Sequence, residues 1–357
     1  MKIVGIFRGF PGLGRVVAGM EILKEFQASR NALVKVFTYL QGFEYARGSA
    51  FEISTIESPN DLCQVGIMPV SKSGEGIVAE IEKFEPDFIL IDGEPLLVSL
   101  IKLRFPHLTV VVLLNPFDVT NKNLPVSTQL FFEDCYAKAD ICIVHGLWEI
   151  DKPLRFNNKF FSVNTFVRKE IRNIRNDPSS DRIVCLLGGG TVRTADAFLQ
   201  NTFKIADHSI LLARDHPNLL FDIFCGCREI YEQVSANIDP LPNIRLHREI
   251  MPSLKIFESA RMVISRAGRN TISEILTIGI PALLFATNCQ IRGHEQQANI
   301  VAAQKLSSSI MGMAIESSSK MAGEIFSQLM TSQNNKSPWL SGNNELFKIL
   351  EEEIQCI

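Results

Sequence analysis

The feature that most constrains the fold is a strand–turn–helix–strand pattern in residues 262–299. An apolar run at its start has strand composition and opens into a turn at Gly268, after which apolar side chains recur at helical spacing. Gly279 and Pro281 end that helix, and a second apolar run follows at 282–285. The pattern predicts one βαβ unit of a parallel sheet, in which ligands bind beyond the carboxyl ends of the strands.

The turn at Gly268 stands where the predicted helix begins, at that ligand-binding edge of the sheet. Backbone N–H groups in the first turn of a helix have no acceptor within the helix and favour a phosphate. Arg266 and Arg269 flank the turn, so they either offset the charge of a phosphate or point into solvent. We therefore predict an anion site at the start of this helix.

Further polar groups follow the turn. Glu274 lies inside the predicted helix, where its carboxylate either accepts hydrogen bonds from ribose hydroxyls or caps the helix start. Glu295 and Gln296 precede Asn299 in the next polar stretch, and an acid beside an amide suits the adjacent hydroxyls of a hexose. His294 adjoins this pair and is either a contact to phosphate or sugar, or only a polar neighbour.

This order of parts resembles the donor-binding half of GT-B glycosyltransferases, in particular the MurG type and the wider nucleotide-sugar-dependent superfamily. The resemblance implies two Rossmann-like α/β domains of doubly wound topology that face a central cleft. It also implies a nucleoside-diphosphate sugar as donor, with a UDP-sugar favoured, and no further cofactor. The donor contacts that it implies are, for the diphosphate, Gly268, Asn270 and Thr271; for the ribose, Glu274; and for the sugar, Glu295 and Gln296, with Asn299 in support.

Length and charge agree with a two-domain enzyme. A chain of 357 residues exceeds the usual size of one hydrophobic core, and 46% hydrophobic residues suffice to fill two. A formal net charge of -3 and a pI near 6.1 argue against a nucleic-acid partner, which many basic residues would have to hold. The expected partners are a nucleotide sugar and an acceptor.

The sequence contains no recognisable motif for a metal, a disulfide framework or a membrane span. The cysteines are scattered, with Cys225 and Cys227 closest, and they are predicted to be reduced thiols of a cytoplasmic protein. No Asp-x-Asp follows a strand and no His/Cys spacing fits a metal, so we expect no metal site. The apolar run at 3–7 is too short for a signal peptide or a transmembrane helix.

Alternating strands and helices divide the chain. They predict an acceptor-binding Rossmann-like domain in residues 1–165, a polar linker at 166–181, and a donor-binding domain at 182–340. Residues 341–357 contain an amphipathic helix that, by the resemblance, crosses back onto the first domain. The predicted strands are 2–7, 33–38, 88–91, 109–114, 141–144, 182–187, 219–224, 262–264 and 282–285.

A second glycine-rich turn follows the strand that opens the donor domain. A triple glycine is often only a tight turn, but its place after a strand makes it a second candidate anion site. The residues of this candidate are Gly189, Gly190, Thr191 and Arg193.

The first domain offers two acids directly after a predicted buried strand, again at the position of a ligand crevice. Asp92 and Glu94 are the leading candidates for a general base, because a carboxylate in a dry site can have its pKa raised toward neutral pH. For Asp92 the alternative is turn chemistry before Gly93. His145, at the end of another predicted strand, ranks third.

The first glycine-rich loop, which includes Gly12 and Gly14, ends in Arg15. In many GT-B enzymes the residue at this point is a histidine that acts as the base, whereas an arginine stays protonated at neutral pH. The base must then come from elsewhere, and Arg15 is expected to bind an acidic acceptor or the departing phosphates.

The predicted reaction is a direct displacement at the anomeric carbon by an acceptor hydroxyl or amine, with inversion as in MurG-type enzymes and without a metal. The acceptor is either a small molecule or a lipid-linked sugar, and the latter would bring the protein to the inner face of a membrane. Three alternatives stay open: a nucleotide-sugar hydrolase, a related epimerase, and a non-catalytic subunit that binds a sugar nucleotide.

Overall fold

The chain forms two compact units in a computed structural model, which describes residues 1–10, 12–56, 68–177, 179–188, 196–238, 241–249, 254–288, 292–332 and 339–355. Unit 1 comprises Met1–Phe166 and Ser341–Ile357, and unit 2 comprises Val167–Leu340. Each unit has its own parallel sheet and its own hydrophobic core.

Unit 1 contains a seven-stranded parallel sheet. Its strands are β1 (Lys2–Phe7), β2 (Leu33–Thr38), β3 (Glu52–Thr55), β4 (Phe88–Asp92), β5 (Thr109–Leu114), β6 (Ile141–Gly146) and β7 (Lys159–Asn164). The helices between these strands are α1 (Gly14–Arg30), α2 (Gln41–Ala46), α3 (Met68–Phe84), α4 (Pro95–Arg104), α5 (Pro116–Thr120) and α6 (Val126–Tyr136).

Both faces of this sheet are buried, which is why its central strands are apolar almost throughout. Ile3 packs with side chains of α1, whereas its neighbour Val4 packs with side chains of α3 and α4 on the other face. The strand order is β3-β2-β1-β4-β5-β6-β7, so successive strands are added on one side of β1 up to β3 and on its other side from β4 onward. We call the place where this side changes, here between β1 and β4, the switch point of a sheet, because the loops that follow its two strands flank the usual ligand crevice.

Unit 2 contains a second parallel sheet, with six strands in the order β10-β9-β8-β11-β12-β13 and a switch point between β8 and β11. These strands are β8 (Arg182–Leu186), β9 (Leu220–Phe224), β10 (Ile244–His247), β11 (Ala260–Arg266), β12 (Ala282–Ala286) and β13 (Ile310–Ala314). The helices of the unit are α7 (Asp196–Asp215), α8 (Arg228–Ala236), α9 (Leu254–Glu258), α10 (Arg269–Ile278), α11 (Arg292–Leu306) and α12 (Ser319–Met330).

The last helix, α13 (Asn343–Gln355), belongs to unit 1, where it packs on α1 and β7. Leu346 and Leu350 of α13 are buried in the same core as Phe26 of α1. The predicted fold class, two doubly wound α/β domains, is confirmed.

The residues predicted as a linker, 166–181, pack largely on unit 2. A 3-10 helix, Lys169–Asn173, lies against α10, and its Ile171 is fully buried. Further along, the N–H of Asp177 donates to the carbonyl of Glu258 at 2.8 Å. The described residues from Val167 onward in this segment therefore belong to unit 2.

The cysteines that the structure describes are free thiols: Cys135, Cys142, Cys185, Cys225 and Cys227. Burial raises the pKa of Cys142, Cys185 and Cys225 to about 12, so these thiols stay protonated at neutral pH. Among the described helices, none is long and apolar enough to cross a membrane.

Candidate active site

The turn after β11 is the first element of the site in unit 2. β11 ends at Arg266, and α10 begins at Arg269 with Gly268 as its N-cap residue. Gly268 supplies no side-chain hydrogen bond to the helix start, and its carbonyl accepts the N–H of Ile272 at 3.0 Å. The first N–H groups of such a helix are directed out of its end, where they can bind an anion.

The start of the loop after β8 lies beside this turn. Gly188 has a φ of +106°, and a Cβ added there would lie 3.4 Å from Nη1 of Arg266. Nη2 of Arg266 donates to Oγ1 of Thr202 in α7 at 2.6 Å. Neither Arg266 nor Arg269 simply points into solvent, since the first is half-buried and the second is buried. The predicted residues of the second glycine turn lie outside the described residues: Gly189, Gly190, Thr191 and Arg193.

Glu274 is held by an arginine and does not cap its helix. Nε of Arg168 donates to Oε1 of Glu274 at 2.7 Å, and Nη2 donates to Oε2 at 3.0 Å. The two side chains are 11% and 8% exposed, respectively. Because the helix begins at Arg269, both Thr271 and Glu274 lie inside it, so the alternative of a capping box does not describe this helix.

The polar side chains at the start of α11 divide into two buried residues and two at the surface. Oε1 of Gln296 accepts the N–H of Thr287, directly after β12, at 2.8 Å. Nδ2 of Asn299 donates to the carbonyl of the residue after β11 at 3.1 Å. Both amides thus hold the ends of neighbouring strands, whereas Glu295 is half-buried and His294 is exposed.

In unit 1, charged side chains meet at the switch point between β1 and β4. Arg8 follows β1, Asp92 ends β4, and Glu94 comes two residues later. Nη1 of Arg15 in α1 donates to Oδ1 of Asp92, and Nη2 of Arg15 donates to both oxygens of Asp118 in α5, at 2.8 and 2.9 Å. The residues form one cluster at the carboxyl edge of the sheet.

Arg15 and Asp118 stabilise each other's charged form. Burial by itself would lower the pKa of Arg15, but Asp118 and Asp92 outweigh it and hold that pKa well above its ordinary value. Burial would likewise raise the pKa of Asp118, but Arg15 outweighs it and lowers that pKa. Since two carboxylates of its own unit occupy the guanidinium, we do not propose Arg15 as a ligand of an acidic acceptor or of the phosphates.

Glu94 is the acid of this cluster that does not bond to Arg15. Its Oε1 accepts the hydroxyl of Tyr39 at 2.7 Å, and Nε of Arg8 lies 3.8 Å from the same oxygen. Its Oε2 is buried and has no hydrogen-bond partner among the described residues. Burial raises the pKa of Glu94 and outweighs Arg8 and Tyr39, which lower it. A carboxyl group with a raised pKa is suited to exchange a proton near neutral pH.

His145 lies in the interior of unit 1. It is fully buried, and its ring stacks on Phe166 with ring centroids 4.0 Å apart. His145 stays a candidate base of lower rank than Glu94. At the first glycine loop, Gly12 has a φ of +143° and Gly14 is the first residue of α1.

Gly93 allows β4 to pass close to the two arginines of the cluster. Its φ is +89°, and a Cβ there would lie 2.6 Å from Cδ of Arg15 and 2.8 Å from Cβ of Arg8. The turn before Gly93 that was the alternative explanation for Asp92 is thus present, and Asp92 itself is fully buried at the end of β4.

We expect Gly93→Ala to lower the free energy of unfolding by about 1–3 kcal/mol, because it adds backbone strain and steric overlap. Gly76→Ala is a matched control in α3, where an added Cβ meets no described atom within 4 Å. That change should raise stability by about 0.5–1 kcal/mol. Urea denaturation of both variants measures the difference, and an equal effect at the two positions would contradict the steric explanation.

Asp118, Tyr39 and Arg168 are among the residues of these sites that were not predicted from the sequence. Asp118 and Tyr39 come soon after the predicted strands β5 and β2, so the reasoning that found Asp92 could have found them as well. Arg168 carries no such signal, since its partner Glu274 is 106 positions away in the sequence. Among the described residues, no group of three His, Cys, Asp or Glu side chains is arranged to hold a metal ion.

Two doubly wound parallel sheets, each with polar groups at its switch point, define the GT-B class of glycosyltransferase folds. Residues 184–345 match the model of the glycosyltransferase family 28 C-terminal domain. The structure of Acinetobacter baumannii MurG is similar with a TM-score of 0.58 and 14% identity, covering 99% of this chain and 100% of that chain. The chain therefore has the GT-B fold, and its second half is similar to a glycosyltransferase family 28 C-terminal domain.

Two further solved structures share the fold. The spinosyn rhamnosyltransferase SpnG complexed with thymidine diphosphate has a TM-score of 0.62 and 15% identity, covering 100% of this chain and 96% of that chain. Arabidopsis thaliana UGT89C1 complexed with UDP has a TM-score of 0.66 and 12% identity, covering 98% of this chain and 94% of that chain. A search of curated proteins gave no match.

Proposed function

We propose that the protein transfers a sugar from a nucleoside-diphosphate sugar, with a UDP-sugar favoured, to a hydroxyl or amine acceptor. The observation that carries this proposal is the glycine-capped start of α10 at the switch point of unit 2, with Arg266 beside it. A helix start with an arginine nearby stabilises negative charge as it develops on a leaving diphosphate. The UDP complex of UGT89C1 and the thymidine diphosphate complex of SpnG support a nucleoside diphosphate as the leaving group.

Unit 2 supplies the proposed donor contacts. The helix start binds the diphosphate, the carboxylate of Glu274 binds the ribose hydroxyls, and the more accessible side chains of Glu295 and His294 contact the sugar. Gln296 and Asn299 act indirectly, because their bonds to backbone groups hold the strand ends in place. The residues assigned to the diphosphate are Arg266, Gly268, Arg269, Asn270 and Thr271, together with the second turn, Gly189, Gly190, Thr191 and Arg193.

Unit 1 supplies the proposed base. Oε2 of Glu94 takes the proton of the acceptor hydroxyl or amine, and the acceptor atom forms a bond to the anomeric carbon. The bond from that carbon to the diphosphate oxygen breaks, and its electron pair leaves with the nucleoside diphosphate. Attack opposite the leaving group inverts the configuration, and the helix dipole with the arginines replaces a divalent metal. Since Glu94 is fully buried, the acceptor has to open this edge of unit 1 to reach it.

The proposed base does not indicate the class of acceptor, because a carboxylate can deprotonate a small-molecule acceptor and a lipid-linked acceptor equally well. A lipid-linked acceptor would bring the protein to the inner face of a membrane.

To test the proposed function, the purified protein is mixed with a panel of nucleotide sugars, with and without candidate acceptors, and free nucleotide is measured. Release that needs an acceptor supports transfer. Release without one indicates a hydrolase, binding without turnover indicates a sugar-nucleotide-binding subunit, and no binding contradicts the proposal.

We expect Glu274→Gln to raise the Kd for UDP about tenfold or more, because bonds from ribose hydroxyls to a charged carboxylate are stronger than those to a neutral amide. Glutamine keeps an oxygen for Arg168, which limits the loss of stability. Glu324→Gln, in the same unit and 67% exposed, is the matched control and should leave the Kd unchanged. Isothermal titration calorimetry measures both variants, and an unchanged Kd in Glu274→Gln would show that this residue does not bind the ribose.

A further inference from the structure

Arg168 forms a buried pair with Glu274, and no step of the proposed reaction uses it. Its Nε and Nη2 donate to separate oxygens of the carboxylate at 2.7 and 3.0 Å. On another side, the guanidinium carbon lies 6.0 Å from the ring centroid of Phe257, which is itself buried. An aromatic face and a bidentate carboxylate together fix both the position and the plane of the guanidinium.

We propose that Arg168 is a positioning residue, which turns the Glu274 carboxylate so that each of its oxygens faces one of two adjacent ribose hydroxyls. The inference rests on the proposed assignment of Glu274 to the ribose. Selectivity for a ribonucleotide over a 2′-deoxynucleotide then depends on Arg168 as well as on Glu274.

The hydrogen-bonding capacity of the carboxylate allows both partners at once. An ionised carboxylate offers about four acceptor sites, two on each oxygen. The fork of Arg168 takes one site on each oxygen, so one site on each remains. Two vicinal hydroxyls, each donating to its own oxygen, match that remaining pair, whereas a 2′-deoxyribose has only one hydroxyl to offer.

The backbone around Arg168 suits such a role. The 3-10 helix Lys169–Asn173 directly follows this residue and packs on α10, the helix that carries Glu274. Ile171 anchors it as a fully buried side chain. The pair is therefore held between two neighbouring elements of one unit. A lysine at position 168 would carry the charge but could not fix the plane of the carboxylate, because its ammonium group is a point charge without a rigid fork.

The test compares the Kd of UDP with that of 2′-deoxy-UDP by isothermal titration calorimetry on the full chain. For the wild type we expect UDP to bind about tenfold more tightly or better, as one extra hydrogen bond to a charged group allows. In Arg168→Gln and in Arg168→Lys this preference should shrink about fivefold or more, while the Kd of 2′-deoxy-UDP stays within about twofold. Arg168→Lys keeps the buried carboxylate paired, so it serves if Arg168→Gln does not fold.

Controls separate this inference from the proposed function. Arg228→Gln, on α8 and 75% exposed, should leave both Kd values unchanged. If Glu274→Gln removes the ribose preference but both Arg168 variants keep it, the positioning role is wrong and the ribose assignment stands. If the wild type shows no preference and Glu274→Gln changes nothing, the ribose assignment fails and the positioning role falls with it. Tighter binding of UDP by Arg168→Gln would also overturn the inference, because Arg168 would then compete with the nucleotide.

Discussion

Glu94→Gln should lower kcat for sugar transfer by about 10²- to 10⁴-fold and leave nucleotide binding unchanged, because an amide cannot accept the acceptor's proton. The change is small in structural terms. The side-chain carbonyl of glutamine can still accept the Tyr39 hydroxyl, which bonds to Oε1 of Glu94 at 2.7 Å. Steady-state kinetics with the donor and acceptor found in the nucleotide-sugar panel measure the effect.

The pH dependence distinguishes a base from a buried structural acid. Burial raises the pKa of Glu94, so the rate of the wild type should rise with pH as this carboxyl ionises. Stability should move in the opposite direction. Between the pKa of the unfolded chain and the raised pKa of the folded protein, the folded state holds the additional proton, and the free energy of unfolding falls as pH increases. Glu94→Gln should remove both trends and be at least as stable as the wild type at neutral pH.

Glu82→Gln in α3 is a matched control for Glu94→Gln. The side chain of Glu82 is 54% exposed, so this substitution should not affect the rate. Asp92→Asn should act mainly on stability, since Asp92 is bonded to Arg15. A fully active Glu94→Gln would mean that Glu94 is only a buried acid of the unit 1 core.

Arg15→Met should lower the free energy of unfolding of unit 1 by about 3–5 kcal/mol, because it leaves two carboxylates without their cation in a largely buried cluster. The pairs concerned join Arg15 to Asp92, which is fully buried, and to Asp118. Hydrogen exchange of the β4 amides reports on this unit without interference from unit 2.

Two variants test the electrostatic origin of that loss. Arg30→Met, in the same helix, breaks a pair with Glu351 whose arginine is 41% exposed, and it should cost about 1 kcal/mol or less. Combining Arg15→Met with Asp92→Asn and Asp118→Asn should recover part of the stability. A similar loss in Arg15→Met and Arg30→Met would contradict a special role of the buried cluster.

The interior strands of both sheets were predictable, and the edge strands were not. Residues 88–92 and 282–286 are buried along their whole length, so they read as apolar runs in the sequence. The strands missed were β3, β7, β10 and β13, and each lies at an edge of its sheet. Most of their residues are half-buried or exposed, which gives sequences such as Glu52–Thr55 without an apolar run. Edge position explains why β3, β7 and β10 were missed, whereas β13 has the apolar sequence Ile310–Ala314 and is not explained in this way.

The location of both candidate sites could also be predicted, because it follows from chain topology. Asp92 ends one interior strand and Gly268 follows another, and such strand ends converge at the switch point of a doubly wound sheet. The side-chain pairing could not be predicted. Arg15 meets Asp118 at a separation of 103 positions, and only the folded chain decides that this arginine is neutralised internally. For the same reason the partner of Glu274 was not foreseen.

The most direct test is a crystal structure of the protein grown with saturating UDP. The predicted result is a diphosphate within hydrogen-bond distance of the backbone N–H groups in the first turn of α10, next to Gly268, with the ribose hydroxyls on the Glu274 carboxylate. A nucleotide bound elsewhere, or this turn without nucleotide while calorimetry shows the protein to be saturated, would contradict the assignment of unit 2 to the donor.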